Sequence, residues 1–297
     1  MSRPPRQKND PSEETIYHTW SQVVQQKFYI EEEDKEKFLE ILAKLKKTFF
    51  VEIISCKVMD NHIHLEIKIY VPDDVTEEEL ERRFKNLYPD RRFPNHKAEE
   101  YKEKWGDLSK FMGSLKQRFS IYMNRKHGWR GHFWAERFGS NIQADENAAL
   151  HCASYIELNH TKVSGIEPTA ESPCYGGIPY ILWTQNRGNF YSLKEITRLA
   201  QGIFIPEWEK RIEKRFGTYL ESFMSPEEKQ GFVKYLAFVY MKNEEREFLK
   251  RGQEIFTKQG IMGSRESIQT INTTLNHPQD LTYEPTELSA SLYFARN

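Results

Sequence analysis

The chain has 297 residues, with 43 Lys+Arg against 44 Asp+Glu and a formal net charge of -1. This near-balance excludes a uniformly basic nucleic-acid coat, and a mean hydropathy of -0.75, with no apolar run near the roughly 18 residues a bilayer requires, argues against a membrane protein. The three cysteines, Cys56, Cys152 and Cys174, lie far apart and form no C-x-x-C pair, so neither a disulfide framework nor a thiolate zinc site is indicated. The opening residues lack the apolar stretch of a signal peptide, and a cytoplasmic, nucleoid-associated location is the expectation.

Residues 1–13 are polar and proline-containing and are expected to be a disordered tail. Tyr17 to Val24 mixes aromatic and β-branched residues and predicts a strand. Glu31 to Lys47 predicts a helix: acids fill the first turn, Lys44, Lys46 and Lys47 the last, and Phe38, Ile41, Leu42 and Leu45 share one face. Phe49–Val58 and His62–Val71 predict two strands around Asp60-Asn61, a pair suited to a tight turn, and so a hairpin. After an acidic and then basic insertion over 73–103, Asp107 is placed to cap a long helix whose apolar residues, Leu108, Phe111, Met112, Leu115, Phe119, Tyr122 and Met123, keep the helical period. Arg137–Gln143 predicts a strand, and a helix follows from Asp145 to about Asn159.

This order describes an α+β unit over residues 14–165, an antiparallel sheet with helices packed on it. Residues 166–190 are rich in Pro, Gly and Ser and read as a linker, 191–276 as a mainly helical C-terminal region, and 277–297 as a loose tail. Within the helical region, Ser192-Leu193-Lys194-Glu195 and Ser225-Pro226-Glu227-Glu228 have capping-box form, and Phe232, Tyr235, Leu236, Val239 and Tyr240 form a stripe.

Three groups of residues carry chemistry. In His62-Ile63-His64, strand alternation sends both imidazoles, and Glu66, to one face while Ile63, Leu65, Ile67 and Ile69 fill the other. Two neutral imidazoles on a rigid strand form half of a divalent-metal site, the alternative being two ordinary strand histidines. Tyr155 and Asn159, four apart on a helix, share a face and present a phenol and an amide oxygen together; the alternative is a core tyrosine. From Leu108 to Ala135 there is no acidic residue, while Lys110, Lys116, Arg118, Arg125, Lys126 and Arg130 fall inside. These cations, with Arg137 and with Trp134 as a base-stacking group, are candidates for phosphate and base contact, against a solvated helix face and a core tryptophan as the plain alternatives.

The motifs Val58-Met59-Asp60-Asn61-His62-Ile63-His64-Leu65, Gly131-His132-Phe133-Trp134-Ala135-Glu136-Arg137-Phe138 and Tyr155-Ile156-Glu157-Leu158-Asn159 occur in one order. In this the sequence resembles the single-tyrosine HUH transposases, most closely the repetitive-extragenic-palindrome-associated tyrosine transposases, from about Tyr17 to Gly165. The resemblance implies a ferredoxin-like HUH nuclease domain, a metal-dependent endonuclease and strand transferase that cuts and rejoins single-stranded DNA near hairpins through a 5′-phosphotyrosine. It assigns Tyr155 as nucleophile, His62, His64 and Asn159 as ligands of a divalent metal, Mg or Mn, and single-stranded or hairpin DNA as partner. Asn159, four positions after Tyr155, favours a single-tyrosine reaction. Whether one chain acts alone or two exchange the Tyr155 helix as a homodimer stays open, as does a domesticated protein that binds hairpin DNA without cutting it. Two positions depart from the family pattern: Asp60 stands where proline is common, and His160-Thr161-Lys162-Val163-Ser164-Gly165 replaces a proline-led helix end.

Overall fold

The computed structural model describes residues 13–24, 29–164, 175–244, 256, 260–274, 286–289 and 292–296. The first part of the chain follows the expected order: β1 (Thr15–Gln22), α1 (Glu32–Lys46), β2 (Val51–Val58), β3 (His62–Ile69), α2 (Glu77–Leu87), α3 (Ala98–Trp105), α4 (Leu108–His127), β4 (Gly139–Gln143) and α5 (Glu146–Ser164). The sheet order β2-β3-β1-β4, with all three pairings antiparallel, is the ferredoxin-like arrangement. The fold is α+β, as the sequence predicts.

Local signals explain the main boundaries. Glu31 and Asp34 form a reciprocal capping box on α1, whose Phe38, Leu39, Leu42 and Leu45 are buried. At α4 the Asp107 side chain accepts from the Lys110 N–H (2.8 Å), and Gly128 ends the helix at φ 65°, a conformation glycine adopts without a Cβ penalty. Asp145 accepts from the Ala148 N–H (2.8 Å) at the start of α5. Without a proline after Asn159, α5 runs on to Ser164.

Among the described residues the further helices include α6 (Gly177–Thr184), α7 (Leu193–Ala200), α8 (Pro206–Glu221), α9 (Pro226–Glu244) and α10 (Arg265–Thr274), and the further strands are β5 (Gly260–Gly263), β6 (Thr286–Ser289) and β7 (Leu292–Arg296). Three expectations are corrected here. Residues 166–190, expected as a linker, contain α6, which buries Ile178, Ile181 and Leu182. The mainly helical C-terminal region also contributes β5, which pairs parallel to β4, so the sheet continues as β5-β7-β6 and is mixed rather than antiparallel. Strands β6 and β7 lie in the segment expected as a loose tail. The insertion over 73–103 holds α2 and α3.

Of the two capping boxes, Ser225 and Glu228 form theirs, with the Ser225 N–H donating to Glu228 (2.9 Å) and the Glu228 N–H to Ser225 Oγ (3.2 Å). Ser192 makes no side-chain cap on α7, and Glu195 turns to Lys68 Nζ (2.7 Å) rather than to the Ser192 backbone. A main core connects these elements, with α1 and α4 on one side of the sheet and α5, backed by α7 and α9, on the other, and a small second cluster lies between α5, Phe256 and β5. Among the described residues no helix is long and apolar enough to cross a membrane.

Candidate functional site

Strand β3 lies between β2 and β1, and its alternation divides its side chains as the sequence predicts. His62, His64, Glu66 and Lys68 face α5 and α7. Register sets their neighbours: His64 lies opposite Trp20 of β1 and Lys57 of β2, and Glu66 opposite His18 and Ser55. Helix α5 crosses this face with Cys152 beside Glu66 and the Tyr155 ring 5.6 Å from that of His64, at a right angle to it. Four residues of helix rise about 6 Å and two of strand about 6.6 Å. The same register therefore carries Asn159, buried one turn beyond Tyr155, toward the level of His62.

The two imidazoles are held from behind. Their ring centroids lie 5.1 Å apart. His62 Nδ1 meets the Asn61 side-chain oxygen at 2.6 Å. Because a carboxamide oxygen only accepts, the proton sits on Nδ1 and Nε2 keeps its lone pair. His64 Nδ1 meets His18 Nε2 at 2.9 Å, with the two rings stacked. When His64 donates in this bond, its Nε2 is likewise left with a lone pair. Burial lowers the His62 pKa to about 4, outweighing the upward pull of Asp60, and lowers that of His18 to about 3, outweighing the Phe256 carbonyl. These shifts favour the neutral imidazole, the form that can ligate a metal.

Two imidazoles and a carboxamide oxygen form a donor set that fits a divalent ion. Among the described residues no group of three or more His, Cys, Asp or Glu side chains is arranged to hold one. Asp60, at the position where the family commonly has proline, pairs with Lys35 (2.5 Å), and its carbonyl accepts from the N–H groups of Tyr29 and Ile30. Those bonds hold the turn without a proline.

Tyr155 is 1% exposed. Its ring stacks on Phe256 at 4.8 Å, within a small cluster that also contains Cys152, Ile156 and Met262. Burial pushes its pKa upward, against phenolate formation. Phe256 and β5 thus close the site from the C-terminal side. Glu157 points elsewhere: its carboxylate accepts from Ser55 (2.9 Å) and from the Ile178 N–H (2.8 Å), tying α5 to β2 and α6. Glu66 is fully buried with Cys152 and Glu157 as polar neighbours, and burial raises its pKa. It lies in the interior behind the histidines.

The basic residues do not form one surface. Lys116 reaches the Glu136 carbonyl (2.7 Å), whereas Arg118, Arg125 and Lys126 line a groove between α1 and α4. Lys126 is bound to Asp34 (2.7 Å) and Glu31 (3.1 Å), which raises its pKa and commits it to the α1–α4 junction. Trp134 is buried, its indole N–H donating to the Lys116 carbonyl (3.0 Å) and its ring 5.9 Å from that of Phe119. It belongs to the core and is not a base-stacking group. Lys110, Arg125, Arg130 and Arg137 are exposed.

Sequence reasoning missed His18, because a single histidine on a strand carries no local signal. Its role arises only from pairing with β3.

Residues 12–106 match the family model described as "Transposase IS200 like". Over that span the chain is similar to IS200-like transposases. The transposase-like segment includes His18, His62 and His64; Tyr155 and Asn159 lie beyond it. A solved structure of a REP-associated tyrosine transposase bound to a REP hairpin is similar at a TM-score of 0.42 and 14% identity, covering 62% of this chain and 87% of that one. No curated protein matches in sequence.

Proposed function

We propose that this protein is a metal-dependent single-strand DNA endonuclease and strand transferase, acting near hairpins, with Tyr155 as its nucleophile. The observation that carries this reading is the meeting of the Tyr155 ring with the paired His62 and His64 on one face of the sheet, from elements far apart in sequence. The IS200 transposase-like span supports it by containing both histidines.

His62, His64 and Asn159 would hold a divalent ion, Mg or Mn, which when bound supplies charge neutralisation at the scissile phosphate. The protein's own groups do the rest. Asn61 and His18 fix the orientation of the two histidines. Tyr155 Oη attacks phosphorus, the P–O3′ bond breaks, and a 5′-phosphotyrosine and a free 3′-hydroxyl result. Attack by a second 3′-hydroxyl reverses the exchange, one phosphodiester replacing another without nucleotide hydrolysis. Because Tyr155 is 1% exposed, its neighbours must give way before its oxygen can meet a phosphate.

The test is incubation with a single strand carrying a hairpin and Mn²⁺ or Mg²⁺, followed by denaturing electrophoresis. A covalent protein–DNA band that Tyr155→Phe removes is expected; a band that survives in that variant overturns the assignment. A non-cleaving hairpin-binding protein is the second reading. The burial of Tyr155 favours it, and tight binding with no adduct in any metal would establish it.

A further inference from the structure

Immediately after Gly128 the chain exposes Trp129, 37% accessible in a protein that buries most of its large aromatics. The side chain is braced. One face of its indole stacks on His127 at 4.2 Å and 15°, and Tyr29 meets it edge-on at 5.1 Å. The loop beneath is fixed as well: the Trp129 N–H donates to the Asn124 carbonyl (2.9 Å), and the Asn124 side chain donates to the Gly131 carbonyl (3.1 Å). An exposed indole held this firmly has lost its ordering entropy before any ligand arrives.

Its place in the fold gives that surface a direction. Tyr29 donates through its N–H to the carbonyl of Asp60, in the turn that carries His62. Val23 donates to the Asn61 carbonyl and Val24 to the Phe133 carbonyl, so the loop after Trp129 and the histidine hairpin meet at one end of the sheet. That loop exposes Arg130, His132 and Arg137. Arg130 and Arg137 make no ion pair among the described residues. A flat aromatic surface followed by a loop with exposed cations suits a polyanion carrying planar bases, and single-stranded DNA presents both.

We infer that Trp129, supported by His127 and Tyr29, is a stacking platform for one unpaired base of single-stranded DNA, positioned beside the histidine hairpin, with Arg130 and Arg137 contacting the adjoining phosphates. This rests on the DNA reading above and adds to it a binding position.

The test measures binding without cleavage, by fluorescence anisotropy of a labelled hairpin with single-stranded thymidine flanks, in chelator. Stacking is worth about 1–3 kcal/mol per base, so Trp129→Ala is expected to weaken binding by roughly 5- to 150-fold and Trp129→Phe by less. Moving one abasic position along the flanks should locate a site where the wild type loses a similar factor and Trp129→Ala loses nothing further. Wild-type-like affinity in Trp129→Ala overturns the platform and leaves the DNA reading standing. A weakened variant that still loses affinity at that abasic position also overturns it, since Trp129 would then only support the loop. Absence of wild-type binding to both the hairpin and a plain single strand at low salt sinks the DNA reading itself, and the platform with it.

Discussion

Strand β3 sends side chains to both sides of the sheet, and the two sides are almost equally dry. Beneath α1 and α4 lie Ile63, Leu65, Ile67 and Ile69; beneath α5 and α7 lie His62, His64, Glu66 and Lys68. The first side gains from every methylene removed from water. On the second, each group must find a partner or give up its charge. Lys68 is paired with Glu195 (2.7 Å) and Glu14 (2.9 Å), His64 is bonded to His18, and Glu66 favours its neutral form. Burial therefore says little about function here. What distinguishes the candidate side is the retention of ionisable groups where hydrocarbon would fit at lower cost.

The comparison can be tested by substitution, starting with the largest effect. On the polar side, Tyr155→Phe keeps the ring and its stacking on Phe256 and should reduce covalent adduct below detection while leaving the melting temperature nearly unchanged. A coupled loss of fold would show Tyr155 to be a core residue only. On the apolar side, Leu65→Ala should cost about 2–5 kcal/mol in urea unfolding, as for a fully buried leucine; a cost near zero would contradict the dry face.

His18→Phe removes the partner of His64 while retaining bulk. Manganese titration of adduct formation should then show an affinity about 10- to 100-fold weaker, the usual range for an outer partner of a ligating histidine. Equal affinity would reduce His18 to packing.

Glu66 offers a pH test. Burial raises its folded-state pKa, so the folded state holds its proton to higher pH than the unfolded chain does. The resulting stability is fully present below the unfolded pKa near 4.5 and is lost as pH rises toward the folded value, with a slope of up to about 1.4 kcal/mol per unit. Glu66→Gln should flatten this decline above the unfolded pKa; parallel stability curves for the two proteins would show Glu66 to be ionised. The smallest effect is expected at the rim, where Arg137→Ala should lower the logarithmic salt slope of DNA binding by about one and leave core stability unchanged.

Much of the first half was legible because its signals are local. The acids and lysines at the ends of α1, Asp107 and Gly128 around α4, and the alternation of β3 are all readable within a few residues. The C-terminal strands were not, because β5 is four residues long and its partner β4 lies more than a hundred positions earlier. Asp145 joins the two regions, capping α5 and also accepting from the Ser264 N–H (2.5 Å), a link invisible in either segment alone.

The candidate site was legible as a set of residue types and less so as a surface. His62, His64 and Tyr155 converge, whereas Trp134, a base-stacking candidate with a core residue as its alternative, is buried. Bridge pairing with Val23 turns it inward. Trp129 gave no periodic signal, since it follows the glycine that ends a helix.

The cover over Tyr155 is supplied late in the polypeptide. During synthesis the hairpin, α4 and α5 leave the ribosome well before Phe256 and β5 exist, so a nascent or prematurely terminated chain presents Tyr155 without the Phe256 side of its packing. A ribosome stalled between α9 and β5 would hold such a chain, and its modification by a tyrosine-selective reagent would reveal when the cap arrives.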